Sequence, residues 1–470
     1  MATALAVDLG SSSGRVLAGT LTDGRIDVTE IHRFAHEAID VDGVLVWDID
    51  RLYDDILAGL LRGVAQFDDA VSVSIDTWGV DFVTLDARGH RLGHAVAYRD
   101  ERTSRTLDAF RDRLPDDEFF ALTGIAPVYF NTANQLFAML DEEPERASRV
   151  DQVLLLPDYF AWRLTGVRGW TRTIASTTGL CVPGAAAFSD EVLARLGIPR
   201  SWFGDVAPDL GVVGPCIVEG LQRLKVVRGG AHDSACAVHG LPLTPGVESH
   251  FLSSGSWSVL GAMLDEPVTS PEAFRIGLTN EVRTDGGVRP LFNITGLWML
   301  QECQREWTAA GVDADIVGLI EQASAAATPP VLIDPDDPRF TAPGGMVDRI
   351  GEAIVEQGGE RPEEPGECVR VVLESLAQRY ARGVRDLGAI TGRRPGQLNV
   401  VGGGSRNALL CQLTADATGL PVVAGPAEAA TLGAMVAQFE AMGLVGADER
   451  SMLVTSSAST TTWEPGRGKG

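Results

Sequence analysis

Positive charge is in short supply: 39 Lys and Arg stand against 64 Asp and Glu, a net charge of −25. A nucleic-acid partner needs a basic face to displace phosphate counterions, so this balance argues against one. Cysteine is sparse as well, with six residues at 181, 216, 236, 303, 368 and 411 and no CxxC pair. That scatter argues against a zinc site or a disulfide scaffold and fits a reducing cytoplasm. Apolar residues never run uninterrupted for the roughly eighteen positions that a membrane span needs. The opening MATALAVDLG has no basic segment ahead of an apolar one, so no secretory signal is expected. The seven histidines show no metal-ligand spacing. Absent too are a GxGxxG after the first strand, against an NAD-dependent oxidoreductase, and the Gly-Lys-Ser/Thr of a Walker A loop.

What is present describes an ordinary soluble protein, 45% hydrophobic and 22% charged, whose 470 residues exceed one ordinary core and predict two domains. The first forty residues read as a three-strand meander: LAVDLG, the turn SSSG, RVLAGTL, the turn TDGR, then IDVTEIHRF. An amphipathic helix follows, with Leu52, Ile56, Leu57, Leu60, Leu61 and Val64 on one stripe. VSVSIDTW is a strand and DFVTLDARGHRLG a hairpin, which together predict a mixed α/β sheet. Patterning lapses over HGLPLTPGVESH, placing a boundary near 244. Just beyond it, FLSSGSWSVLGAML echoes LGSSSGRVLAGTL, so a duplicated hairpin opens each half. Two similar α/β lobes with a cleft between them is the expected architecture. Later, CVRVVLESLAQRYARGVRDLGAIT has helical spacing, while LNVV, GGGS and a helix from Asn407 form a strand, glycine turn and helix. The segment VVAGPAEAATLGAMVAQFEAM repeats that order, and the Ser/Thr/Gly-biased end reads as a disordered tail.

Several stretches could carry chemistry. In DLGSSSGR the small residues Gly10 to Gly14 would let backbone N–H groups approach an anion, although a plain hairpin turn has the same composition. Three glycines in VGGGSRN cost backbone entropy, which a close approach by a ligand or another backbone would offset. In GGAHDSACAVHG, Asp233 is either a helix N-cap or a carboxylate held for chemistry, and a His-Asp metal site lacks further ligands. Trp78 and Trp298 read as core positions. An anionic ligand would need backbone donors and a metal to overcome the −25 background.

In order, AVDLGSSSGR, SIDTWGVDFVTLD, AYRDERT, LLLPDYFAWRLTG, AHDSA, LSSGSWS, GLW-LQ, IDPDDPRF, VVGGGSRN and GPAEAATLG resemble the FGGY family of carbohydrate kinases, over nearly the whole chain. The resemblance implies an α/β fold of two similar actin-like (ribonuclease H-like) lobes, with mixed sheets flanked by helices and the active site in the interlobe cleft. It implies an N-terminal lobe over 1–243 for sugar, the first phosphate loop and the catalytic Asp. A C-terminal lobe over 244–455 would bind ATP, and 456–470 would be the tail. IDTWGVDF, PDYFAWRLTG and IDPDDPRF are similar to the subgroup that phosphorylates L-rhamnulose at O1 with ATP and Mg²⁺; L-fuculose and xylulose are the nearest alternative sugars. By the same resemblance, Ser11, Ser12, Ser13, Gly14 and Arg15 match the phosphate loop around ATP, and Asp8 the carboxylate for a hydrated Mg²⁺. Gly79 and Asn293 match sugar contacts. His232, Asp233 and Ser234 match a His-Asp-Thr whose Asp is the proton acceptor and whose flanking residues touch sugar. Ser256 and Gln301 match ATP contacts, and Gly403 the adenosine site. Departures are conservative: serine replaces threonine at 234 and 256 and alanine at 11, and the cysteines that a member of the family carries near Thr414 and Thr418 are absent here, so no disulfide is carried over there.

Overall fold

The computed structural model describes residues 2–10 and 12–466. It divides into two compact units. The first comprises Met1–Leu241, Met263–Pro290 and Ala429–Ser457; the second comprises Pro242–Ala262, Leu291–Glu428 and Ala458–Gly470.

In the first unit the apolar strand β1 (Ala2–Leu9) turns into β2 (Ser13–Thr22) and then β3 (Arg25–Ala35). Asp23 and Gly24 both take positive φ (50° and 74°), the backbone of a two-residue hairpin turn matched to strand twist. Helix α1 (Ile49–Gln66) is capped by the Asp48 side chain on Arg51 N and buries Leu52, Ile56 and Leu60. Leu61, expected on the same stripe, is 43% exposed. Next come β4 (Ala70–Thr77), β5 (Gly211–Pro215), β6 (Lys225–Arg228) and the short helix α2 (Asp233–His239). The sheet order is β5-β6-β4-β1-β2-β3.

The second unit is built on β7 (Ser249–Ser254), β8 (Trp257–Ala262), β9 (Val288–Thr295, within this unit from Leu291), β10 (Gln397–Val401), β11 (Val422–Ala424) and β12 (Thr461–Trp463). These strands lie in the order β9-β8-β7-β10-β11-β12. Crossing the first sheet from β3 to β5, the pairings run antiparallel, antiparallel, parallel, parallel, antiparallel. Crossing the second from β9 to β12 gives the same series. The duplicated hairpin read from the sequence is thus part of a duplicated sheet, and the chain is an α/β protein of two similar lobes. The long helix Pro365–Thr391 adds a buried bond to the second lobe, Tyr380 OH to Ser258 Oγ at 2.7 Å.

Two boundary expectations are corrected. The lobes are not the linear halves 1–243 and 244–455, because Met263–Pro290 and Ala429–Ser457 belong to the first unit. Helix Ala429–Ala441 docks there: Gln438 Nε2 donates to Leu5 O (3.0 Å) and Ser74 Oγ (2.9 Å). The tail from 456 is not wholly irregular either, since Thr461–Trp463 pairs antiparallel with Val422–Ala424. Residues 467–470 lie outside the described part.

Close packing of the docked helix depends on Gly433, where an added Cβ would lie 1.9 Å from the Cys236 carbonyl oxygen. Gly433→Ala should therefore destabilise the protein by about 1–3 kcal/mol through overpacking. Gly318→Ala, in helix Ile316–Ala325 with nothing near its added Cβ, should be neutral or stabilising by about 0.5–1 kcal/mol. Thermal unfolding of the two variants checks the contrast.

Candidate functional site

Parallel pairing of β1 and β4 sets Asp8 directly beside Asp76 at the C-terminal ends of the two strands, with their side chains on one sheet face. Asp8 accepts from Arg15 Nη2 at 2.6 Å and from Thr431 Oγ1 at 3.0 Å. Asp76 is fully buried, and among the described residues neither of its carboxylate oxygens has a hydrogen-bond partner. Burial, followed by the charges of Asp8 and Asp233, drives its pKa well above the usual carboxylate range.

The turn after β1 is closed by Gly10 N–H donating to Ser13 O at 3.0 Å, with Ser12 exposed and Ser13 half-buried. Ser11 lies outside the described residues. Gly14 is required by packing: a Cβ there would meet the Phe34 ring at 2.2 Å and Leu9 Cδ2 at 2.7 Å.

Asp233 is not the N-cap of α2. His232 occupies that position, and Asp233 is the first helical residue. Its Oδ1 accepts from Ser234 N–H at 2.6 Å and lies 3.3 Å from His232 Nε2. Its side chain is 35% exposed, and among the described residues Oδ2 has no hydrogen-bond partner. Burial raises the Asp233 pKa, partly countered by His232. The loop before the helix is anchored by Thr77 N–H on Ala231 O (3.1 Å) and Ala231 N–H on Thr173 Oγ1 (2.9 Å). Thr173 Oγ1 in turn donates to Asp209 Oδ1 at 2.8 Å.

Gly79 begins a strained turn. Val80 holds φ at 68°, an outlier for a β-branched residue. Its N–H donates to Thr177 Oγ1 (3.1 Å), and its carbonyl accepts from Thr132 Oγ1 (2.7 Å) and Gln135 Nε2 (3.3 Å). Trp78 is buried, as its core reading expected, and with Trp47 donates its indole N–H to Asp81 (2.9 and 2.6 Å). Burial lifts the Asp81 pKa to about 6 despite these donors.

In the second unit, Ser256 Oγ donates to Gln301 Oε1 at 2.8 Å, so two residues matched separately to ATP are bonded partners. The three glycines divide their labour. Added Cβ atoms at Gly402 and Gly404 would strike Ser254, at 2.7 Å from its carbonyl oxygen and 2.0 Å from its Oγ, whereas Gly403 faces open space. Asn293 is the one exposed residue in the otherwise buried strand β9.

Sequence reasoning missed Asp76, Thr431, Asp209, Glu281 and Arg289. A carboxylate closing the buried run VSVSID was a usable signal for Asp76, because a buried charge demands a reason. No local pattern announces Thr431, which is 423 residues from its partner Asp8. Glu281 and Arg289 pack against His232.

The models of the N-terminal and C-terminal domains of the FGGY family of carbohydrate kinases match residues 3–240 and 251–442. The chain belongs to that family, and it is a carbohydrate kinase, a phosphotransferase with ATP as a substrate. It is 39% identical to a rhamnulokinase of Klebsiella pneumoniae (strain 342) over 464 residues, covering 98% of this chain and 94% of that protein. Among solved structures, a ligand-bound xylulose kinase from Lactobacillus acidophilus superposes with a TM-score of 0.80 at 16% identity, over 99% of this chain and 94% of that one. A Plasmodium falciparum glycerol kinase with ADP gives the same values. At that identity the likeness establishes the fold. No helix among the described residues is long and apolar enough to cross a membrane.

Burial lifts Asp209 to about 7, far above the ordinary carboxylate value near 4 expected when unfolded. Its contribution to stability is therefore complete below about pH 4 and is lost as pH rises through about 7. Asp209→Asn, which cannot ionise, should flatten the fall of Tm between about pH 5 and 7.5. An unchanged slope would show that another group sets it.

Proposed function

We propose that this kinase transfers the γ-phosphoryl group of ATP to O1 of L-rhamnulose, with Asp233 as proton acceptor. The observation that carries the reading is the 39% identity to a rhamnulokinase across 98% of the chain. The geometry of Asp233 supports its role. Oδ1 is engaged by Ser234 N–H and His232, which leaves Oδ2 for the incoming hydroxyl proton. As the bond from O1 to phosphorus forms, the O1 proton passes to Oδ2 and ADP departs.

His232, Ser234, Gly79 and Asn293 are the proposed sugar contacts. The strained, heavily bonded turn at Gly79 and Val80 is rigid enough to present a main-chain group in one direction. The turn of Ser11, Ser12, Ser13 and Gly14, with Arg15, is the proposed phosphate loop of the first unit. In the second unit, Ser256 and Gln301 would contact ATP, and Gly403, open where its neighbours are packed, would admit adenosine. Serine at 234 and 256 keeps the hydroxyl that threonine would supply.

Asp8 and Asp76 fit a hydrated divalent cation. They stand in register, and among the described residues the Asp76 oxygens lack protein partners and no group of three or more His, Cys, Asp and Glu is arranged to hold a metal directly. Mg²⁺ bound with ATP would offset phosphate charge against the acidic background. A cytoplasmic setting belongs to the same reading, since all six cysteines are unpaired and buried.

A panel of ketoses in a coupled ADP-release assay tests the substrate, with the product's phosphate position read by NMR. L-Rhamnulose should give the highest kcat/KM and a 1-phosphate. Higher kcat/KM on L-fuculose or xylulose would overturn the assignment while leaving the family intact.

A further inference from the structure

Strand Thr279–Val282 and the start of β9 bring Glu281 and Arg289 against His232 within the first unit. Arg289 has a fully buried side chain. Its Nη2 lies 2.8 Å from His232 Nδ1 and also pairs with Glu281 Oε2, while its Nε donates to Val282 O at 3.2 Å. On the other side of the ring, His232 Nε2 faces Asp233 Oδ1 at 3.3 Å. We infer that Arg289, held by Glu281, is a positioning residue for the proton acceptor: it fixes His232 with its proton on Nε2, directed at Asp233. The inference rests on the reading of Asp233 as that acceptor.

A guanidinium donates only, having no lone pair to accept with, so Nδ1 must be the acceptor in its contact with Arg289. The proton of a neutral ring is then on Nε2. Glu281 Oε2 lies 3.2 Å from Nδ1 and would favour the opposite tautomer by itself. The Nη2 group has two hydrogens, however, and can serve both neighbours, keeping the carboxylate from claiming Nδ1. Burial raises the Glu281 pKa, but the Arg289 guanidinium beside it pulls it well below the ordinary carboxylate range, so Glu281 stays ionised and keeps Arg289 in place. Ser234 Oγ lies 3.3 and 3.2 Å from the two ring nitrogens, beside the ring rather than along either lone pair. Main-chain bonds from Thr77 and to Thr173 fix the loop, which leaves ring orientation and tautomer to Arg289 and Glu281.

The groups around Asp233 make the tautomer matter. Asp8 from β1 acts on it as a like charge, and the Arg289 guanidinium opposes it. An Nε2–H toward Oδ1 favours the ionised acceptor and directs Oδ2 outward. A lone pair in that place would do the reverse.

Side-chain ¹⁵N spectra of histidine-labelled protein, recorded near pH 8 with His232 assigned from His232→Gln, read the tautomer directly. Wild type should show Nε2–H. Arg289→Met should shift the proton to Nδ1, toward Glu281, and lower kcat by about tenfold or more with KM for ATP unchanged. Glu281→Gln, which keeps the guanidinium on Nδ1, should retain Nε2–H. Wild-type His232 found as Nδ1–H overturns the inference, as does Nε2–H surviving in Arg289→Met. If Arg289→Met does not fold, the other two spectra decide, and Nδ1–H in either is fatal. Because the tautomer is read without turnover, failure of the Asp233 assignment would appear separately, as full activity in Asp233→Asn.

Discussion

Three carboxylates, Asp8, Asp76 and Asp233, are gathered at one end of the first sheet, where burial strengthens their mutual repulsion. Much of the surrounding structure answers that repulsion. Arg15 and Thr431 bond Asp8, His232 and the Ser234 N–H engage Asp233, and among the described residues Asp76 is left without a donor. A fold that optimised stability alone would not keep an unsatisfied buried acid beside two others. Such local cost is expected where a cationic or protonated partner belongs to the working state.

The duplicated sheet shows how specific this arrangement is. Both units start from the same hairpin and pair its first strand in parallel with a strand that arrives much later. In the first unit the register places Asp8 beside Asp76. In the second, the corresponding strand ends are Ser253 beside Val401, followed by Gly255 and Ser256. One architecture thus supplies a charged strand end in one lobe and a small, hydroxyl-rich one in the other. Helix Ala429–Ala441, returning to the first sheet, completes the charged end with Thr431.

The local layer of this organisation was legible. The Asp-Gly turn, the apolar strands, the helical stripe and the echo between the hairpins all follow from short-range rules. The motifs that distinguished the subgroup were legible for an unexpected reason. Asp81 of IDTWGVDF holds two tryptophan N–H groups, Asp158 of PDYFAWRLTG holds Thr171, and Asp336 of IDPDDPRF pairs with Arg379. These acids brace the scaffold. What was not legible joins distant parts of the chain: Thr431 on Asp8, Arg289 and Glu281 on His232, and the two later segments that belong to the first unit. Periodicity encodes which face is buried but not which remote side chain meets it. The N-cap reading of Asp233 failed by one position for a related reason, since cap geometry depends on where β4 pins the preceding loop.

Asp233 is the group proposed to take the sugar proton, and one comparison addresses it: kcat of Asp233→Asn beside the dissociation constant for ATP. Asparagine keeps the shape and the hydrogen bond from Ser234 N–H but cannot accept the proton. A kcat lowered by about 10² to 10⁴ with ATP binding nearly unchanged is the expected result. A variant that turns over L-rhamnulose at the wild-type rate would contradict it.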